Sequence, residues 1–122
     1  MKATLLRCDQ GNAVVEFALL APVYLGMLIG AIYVSLVAIT YVNLHFAVEA
    51  AARCAAIQKT VCVDSATTQS HAQNQFIGFG VTPAFHATVQ ACGNQVTGST
   101  TLIFQAAAYS VTVPLSATAC YP

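Results

Sequence analysis

The stretch from Phe17 to Val42, FALLAPVYLGMLIGAIYVSLVAITYV, decides the fold, because it contains no charged residue and is polar only at Ser35 and Thr40. About 20 apolar residues cross a bilayer as a helix, so this run is long enough to span one with some tilt. The apolar part of a cleavable secretory signal is only about 7–15 residues long. No small-residue cleavage site followed by a polar start comes after the run. The sequence therefore predicts a transmembrane helix.

The composition separates this chain from ordinary soluble domains. Its 122 residues are 57% hydrophobic and 7% charged, with four basic and four acidic side chains, whereas a soluble domain has about 25% charged residues. A disordered chain requires low hydrophobicity and high net charge. Zero net charge and the absence of a Lys/Arg cluster argue against nucleic-acid binding. The chain is therefore expected to be a small membrane-anchored or secreted protein.

The residues that flank the apolar run predict its orientation. Lys2 and Arg7 precede it, and the positive-inside rule places such a short basic tail in the cytoplasm. Cys8 stands alone on the same side, whereas an even number of cysteines follows the run. An even number in a small domain suits an oxidising compartment, so we expect the N-terminus inside and the C-terminal domain outside. The cysteines after the run are Cys54, Cys62, Cys92 and Cys120.

The helix is expected to continue beyond the bilayer. The segment AVEAAARCAA, residues 47–56, is the strongest helix-forming stretch of the chain. A helix over residues 12–57 would be about 70 Å long at 1.5 Å per residue, which exceeds one bilayer. Such a helix would be a stalk.

Small residues recur every four positions along this helix and predict a helix-contact surface. Gly26 and Gly30 form a GxxxG pattern, and small residues let two backbones approach closely in lipid. Glycine is also simply common in membrane helices, which is the alternative explanation. Pro22, which lies on the same surface, is expected to bend the helix or unwind a turn. The full set is Ala18, Pro22, Gly26, Gly30, Val34 and Ala38.

The C-terminal half predicts a short second helix and a small sheet. Asp64 and Ser65 can cap a helix that runs to about Phe79 and is ended by Gly78 and Gly80. Apolar and polar residues then alternate over residues 85–91, 96–105 and 111–119, which is typical of strands. Pro114 marks the third strand as an edge strand. The expected fold is α+β, with the long helix covering the apolar face of a three-stranded antiparallel sheet.

The strand pattern also bears on the disulfides. Cys92 and Cys120 both fall on the polar-face register, and each closes its strand. In a meander the end of strand three returns beside the turn that holds Cys92, and parallel pairing of strands one and three would also bring these ends together. We expect Cys92–Cys120, which leaves Cys54–Cys62, although four cysteines allow three pairings.

Glu16 directly abuts the apolar run, and two interpretations are open. The carboxylate can lie at the lipid headgroups near the helix N-terminus, where the macrodipole favours an anion. Alternatively it has a partner, because an unpaired carboxylate drawn to mid-bilayer costs about 2.5–3.5 kcal/mol.

The surroundings of Glu16 favour the second interpretation. The segment GNAVVEF, residues 11–17, follows a short polar leader and resembles the class III signal of prepilins, in which a peptidase cuts after the glycine. The longer stretch GNAVVEFALLAPVYL, residues 11–25, resembles the TadE-like pseudopilins of the tight-adherence (Flp, type IVb) pilus. The segments AVEAAARCAA, ACGNQV and ATACYP also resemble this family. Phe17 replaces the tyrosine usual in the major Flp pilins, which, with the greater chain length, favours a minor subunit.

The resemblance implies a specific maturation and assembly. A prepilin peptidase would cut between Gly11 and Asn12, which divides the chain into a leader over 1–11, a helix over 12–57 and a periplasmic head over 58–122. Glu16 of one subunit would pair with the new amino terminus of a neighbour. Assembly would involve Phe17, Gly26 and Gly30 as well.

The implied function is that of a minor pilin or pseudopilin in, or at the base or tip of, the pilus. Its expected partners are the inner membrane, the prepilin peptidase and other pilins of the same system. The alternative is an uncleaved single-pass receptor or adhesin with a small ligand-binding head.

The sequence offers no catalytic or metal-binding motif. It has no CxxC and no His-xxx-His pair, which argues against a metal site. His71 follows Asp64 by seven residues but has no nucleophile motif beside it, so polar surface is the expected role. Gly78-Phe79-Gly80 lacks the rest of a phosphate loop. We expect no enzyme activity, no cofactor, no nucleic-acid partner and no small-molecule substrate; a membrane-tethered enzyme is a remote alternative.

Overall fold

The structure, a computed structural model, describes residues 10–106 and 109–122, with side chains from residue 13 to 105 and from 109 onward. Residues 1–9 of the expected leader, including Lys2 and Arg7, lie outside the described residues. Internal contacts divide the chain into two units, which meet between Val34 and Ser35. The elements are α1 (Gln10–Ile57), α2 (Ser65–Gln75), β1 (Ala84–Gln90), β2 (Gly93–Ala106) and β3 (Tyr109–Tyr121). The α+β prediction is therefore confirmed.

Helix α1 remains helical through Pro22. Proline has no N–H, so Pro22 cannot donate the helical hydrogen bond to the carbonyl of Ala18. The helix nevertheless continues on both sides of this residue without an unwound turn. Of the two expected effects of Pro22, a bend or an unwound turn, the unwound turn does not occur, because the missing bond alone does not unwind the helix here.

The three strands form one antiparallel sheet in the order β1-β2-β3. Strand β3, which contains Pro114, is an edge strand as expected. It pairs with β2 along its whole length, from the pair Asn94 and Tyr121 to the pair Ala106 and Tyr109. Strand β1 pairs with β2 only as far as the pair Ala84 and Ser99. The β2–β3 hairpin therefore continues beyond the end of β1.

The core of the second unit forms where α1 packs on the sheet. The helix contributes Leu44 and Val48 among three alanines, so its surface is narrow enough to lie close to the strands. The even-numbered residues of β2 from Val96 to Leu102 face the helix and are buried, as the alternation predicts. The core cluster consists of Leu44, Ala47, Val48, Ala51, Ala52, Ala72, Phe85, Val96 and Ala117.

The apolar face is incomplete at two strand ends. Val89 of β1 and Val111 of β3 lie on the predicted apolar register, but their side chains are 81% and 58% exposed. Both lie several residues from the buried pairs of the core cluster, so the helix does not cover them. The expectation of one continuous buried face is wrong at these positions.

Helix α2 begins where the sequence predicts and ends earlier. Asp64 is its N-cap, and the side chains and backbones of Asp64 and Thr67 form a reciprocal capping box. The helix ends at Gln75, not near Phe79, because Phe76 turns into an extended conformation. There its ring packs edge-on against Phe85, with 6.4 Å between ring centroids. Tertiary packing of Phe76 thus ends the helix, and the glycines that we expected to end it lie in the following loop.

The buried face of α2 also differs from the expected one. The apolar residues of the segment predict a packed face formed by Ala66, Ala72, Phe76 and Ile77. The buried residues of the helix are Thr68 and Ala72, whereas Ala66 and Ile77 are exposed. Thr68 tolerates burial because its hydroxyl donates a 2.8 Å hydrogen bond to the carbonyl of Asp64.

Candidate assembly surface

The first unit exposes apolar side chains all around its helix. From Ala13 to Val34 the side chains are exposed except for two that are half-buried, Ala21 and Tyr33. In the most apolar 18-residue window of the helix only 6% is buried inside the protein, whereas the core helix of a soluble protein would be mostly buried. A helix that is apolar all round requires lipid or partner helices. The geometry therefore indicates membrane anchoring.

Glu16 is exposed on this helix, next to the 73% exposed ring of Phe17. The macrodipole favours a negative charge only within the first turn of a helix. Because α1 begins at Gln10, Glu16 lies beyond that turn. The dipole interpretation of Glu16 therefore loses its physical support in the uncut chain. In a chain that begins at Asn12, Glu16 would lie about one turn from the amino terminus.

Gly26 and Gly30 leave bare backbone on the helix surface. A Cβ built on either glycine would meet no atom within 4 Å. Ala18 and Pro22, which precede them at four-residue spacing, are exposed as well. The four positions form a small-residue surface, defined here as Ala18, Pro22, Gly26 and Gly30, which a second helix can approach closely.

The cysteines form the pairs that we expected from the sequence. Cys54 is bonded to Cys62 across a separation of 8 residues, and Cys92 is bonded to Cys120 across 28. The first bond closes the loop after α1, where the N–H of Gln58 also donates to the carbonyl of Cys54 at 2.8 Å. The second ties the β1–β2 turn to the end of β3. Both disulfide bonds lie in the second unit.

His71 lies beside the first disulfide. One of its ring nitrogens and the sulfurs of Cys54 and Cys62 lie within 4.8 Å of one another. These residue types can bind a metal ion, but the two sulfurs form a disulfide bond and therefore offer no thiolate to it. His71 is half-buried and so is less accessible than an open surface position. Its place depends on α2 packing near the end of α1, which no local pattern reveals.

The capping box also sets the charge state of its aspartate. The N–H of Thr67 donates to the Asp64 carboxylate at 2.8 Å, and the hydroxyl of Thr67 donates to it at the same distance. These hydrogen bonds, the backbone one first, hold the pKa of Asp64 below its ordinary value. The carboxylate is thus stabilised in its charged form.

A groove of 460 Å³ lies along the end of α1 and was not predicted from the sequence. It is lined by Phe46, Glu49 and Arg53 of α1 and by His71 and Gln75 of α2. The guanidinium of Arg53 also lies over an aromatic ring of β3, 5.8 Å from its centroid. The groove exists only because α2 folds back beside α1, so a sequence pattern could not reveal it.

The chain resembles a known family over part of its length. Residues 11–53 match the family model described as TadE-like protein, which confirms the resemblance drawn from the sequence over those residues. The match begins at Gly11 and ends just before Cys54, so the sheet lies outside it. No curated protein and no solved structure matches the chain significantly.

Proposed function

We propose that this TadE-like chain is a minor pilin or pseudopilin that assembles through its N-terminal helix into, or at the base or tip of, a tight-adherence pilus. One observation carries the proposal: the carboxylate of Glu16, the only acidic residue from Ala13 to Val34, is exposed on the apolar helix surface within the segment that carries the family match. A subunit that packs laterally among other helices requires such a surface.

The proposed pairing follows from charge and solvation. Cleavage after Gly11 would create an α-amino group on Asn12, whose pKa of about 7.7–8.0 keeps it mostly cationic at pH 7. Glu16 of an adjacent subunit would pair with this amine and thereby reduce the cost of placing a carboxylate next to lipid. The pair stabilises only if hydrogen bonds complete the site, so it would favour subunits in the correct register.

We also propose a single-pass orientation in the inner membrane, with the N-terminus in the cytoplasm and residues 58–122 in the periplasm. The disulfides Cys54–Cys62 and Cys92–Cys120 support this orientation, because disulfides persist in an oxidising compartment. The basic leader supports it independently. The head would then carry any adhesive contact of the pilus, and we assign the chain no catalytic activity, cofactor or small-molecule substrate.

The N-terminus of the membrane-extracted protein tests the proposal directly. We expect the mature chain to begin at Asn12 in cells that contain the prepilin peptidase and at Met1 in cells that lack it. The Gly11→Val variant should remain uncut, whereas the matched Gly26→Val variant should be cut normally. An intact Met1 in the presence of the peptidase would overturn the proposal and favour the uncleaved receptor or adhesin.

A further inference from the structure

One end of the second unit exposes large apolar side chains. This end comprises residues 101–105 of β2, residues 109–113 of β3 and residues 76–81 after α2, and the name hairpin end is used for it below. Five of its large apolar side chains are between 58% and 80% exposed. They are Ile77, Phe79, Ile103, Tyr109 and Val111.

The hairpin end lies beside the part of α1 that belongs to the apolar run. A crevice of 280 Å³ is lined by Leu36 and Thr40 of α1, by residues 79–81 and by residues 101–104. The side chain of Asn43 donates a 2.6 Å hydrogen bond to the carbonyl of Ile77. Gly98, earlier in β2, lies beside Leu44 and Val48. Strand β2 therefore runs antiparallel to α1, and residues 101–104 lie beside the last part of the apolar run.

Charge divides the second unit in the same direction. Its four charged residues are Glu49, Arg53, Lys59 and Asp64. Arg53 lies over the ring of Tyr121, at the end of β3 opposite the hairpin end. Lys59 and Asp64 line a crevice with residues 94–96 near the start of β2. That end also exposes valines, but among charged groups, whereas no charged residue belongs to the hairpin end.

The length of the apolar run places the hairpin end at a definite depth. A hydrocarbon core of about 30 Å takes about 20 helical residues, so a helix that enters it at Phe17 leaves it near Leu36. The remaining residues of the run, up to Val42, then lie among the lipid headgroups. Thr40 suits this depth, because its hydroxyl donates to the carbonyl of Leu36 at 2.8 Å and leaves no free donor.

We propose that the hairpin end inserts into the periplasmic headgroup layer of the bilayer, so that lipid covers the exposed rings of Phe79 and Tyr109. Tyrosine favours this layer, because its apolar ring faces the acyl chains while its hydroxyl remains hydrated, and the ring of Phe79 would be removed from water there. Ile39 and Val42 of α1, which the same layer would surround, are exposed as well. The head would thus be held to the membrane at a second point. This proposal rests on the membrane anchoring of α1.

The chain contains no tryptophan, so one introduced tryptophan reports on its own surroundings. We would prepare Tyr109→Trp and the control Val89→Trp, which places the same probe on an exposed apolar residue at the far end of the sheet. Each full-length chain is reconstituted in phosphatidylcholine–phosphatidylglycerol vesicles at a low protein-to-lipid ratio. Quenching by bromine on the acyl chains then measures contact with lipid, and quenching by acrylamide measures contact with water.

We expect the Tyr109→Trp emission to shift to the blue, to lose intensity with brominated lipid and to resist acrylamide. Val89→Trp should lose intensity only with acrylamide. If both probes respond to acrylamide alone, the proposal is overturned. If Tyr109→Trp resists both quenchers, another protein copy covers this surface and the lipid proposal is equally wrong.

Two controls keep the result interpretable. Retention of the chain in the vesicles after alkaline extraction tests the anchor separately, so failure of the anchor is distinguished from failure of the hairpin proposal. If Tyr109→Trp disturbs folding, seen as loss of the Cys92–Cys120 bond on a non-reducing gel, Phe79→Trp places the probe in the adjoining loop. It is expected to give the same response to brominated lipid.

Discussion

Gly98 of β2 lies so close to Val48 of α1 that a Cβ built on the glycine would be 2.9 Å from the valine Cγ1. The same Cβ would lie 2.8 Å from the ring of Phe85 and 3.0 Å from a methyl group of Leu44. These are the residues at the centre of the core, and Val48 and Leu44 are completely buried. The distance between helix and sheet is therefore set by the missing side chain of Gly98.

Replacing Gly98 should destabilise the second unit. Gly98→Ala inserts a methyl group among buried neighbours, and overpacking of this kind costs about 1–3 kcal/mol. The free energy of unfolding, measured by urea-dependent proteolysis of the detergent-solubilised chain, should fall by that amount. Ser99, the next residue in β2, is exposed. The control Ser99→Ala should leave the free energy of unfolding within about 0.5 kcal/mol of the parent. Equal stability of the two variants would show that the helix shifts freely.

The disulfides should contribute unequally. The loop closed by Cys92–Cys120 spans 28 residues and that closed by Cys54–Cys62 spans 8. Chain entropy predicts about 3.6 kcal/mol for the longer loop and about 2.5 kcal/mol for the shorter one. The double variants Cys92→Ala/Cys120→Ala and Cys54→Ala/Cys62→Ala, compared by urea denaturation, should differ in that order. The reverse order would mean that the short loop is held by more than its closure entropy.

The Asp64 cap should make stability pH-dependent. The pKa of Asp64 is lower in the folded state than its ordinary value, because Thr67 donates to the carboxylate. A lowered folded pKa gives a contribution that is fully present above the ordinary value and is lost as the pH falls through the folded one. Asp64→Asn keeps the acceptor for the Thr67 N–H and should remove this dependence. The free energy of unfolding of the parent and of Asp64→Asn, measured at a series of acidic pH values, tests this prediction. Identical pH dependence in the two chains would contradict the role given to Asp64.

Glu16 should matter for assembly and not for insertion. Glu16→Ala should remain in the membrane, because the apolar run is unchanged, but should retain far less of the other pilins in co-purification. Glu49→Ala removes an exposed carboxylate outside that run and is the matched control. Undiminished co-purification of other pilins with Glu16→Ala would rule out the proposed role.

The glycines of the small-residue surface should govern close helix contact. Gly26→Leu together with Gly30→Leu fills the bare backbone positions and should cost about 1 kcal/mol of helix–helix association, or roughly fivefold in the equilibrium constant. Photo-crosslinking to neighbouring pilins in the membrane measures this loss. Leu28→Met changes a 44% exposed side chain that lies about 160° from both Gly26 and Gly30 around the helix, and its crosslinking should not change. A loss of the same size in this control would refute the surface as defined.

Local patterns predicted the elements because each element has its own period. The apolar run of α1, the Asp64 cap of α2 and the alternation in the strands each depend on residues within a few positions of one another. The positions of Cys92 and Cys120 at the ends of their strands indicated the disulfide bond between them, because a meander brings such ends together. The features that were missed depend instead on residues far apart in sequence, such as Phe76 with Phe85 and His71 with the Cys54–Cys62 bond.

The sequence by itself determined the apolar run of α1, the helical continuation beyond it and the alternating strands, because solvation and backbone periodicity act on consecutive residues. Only the tertiary structure decided where α2 ends, how closely α1 approaches β2 at Gly98, and that the β2–β3 hairpin extends beyond β1 beside Leu36. These depend on which distant side chains meet, and a side chain's volume constrains its neighbours only after the chain has brought them together.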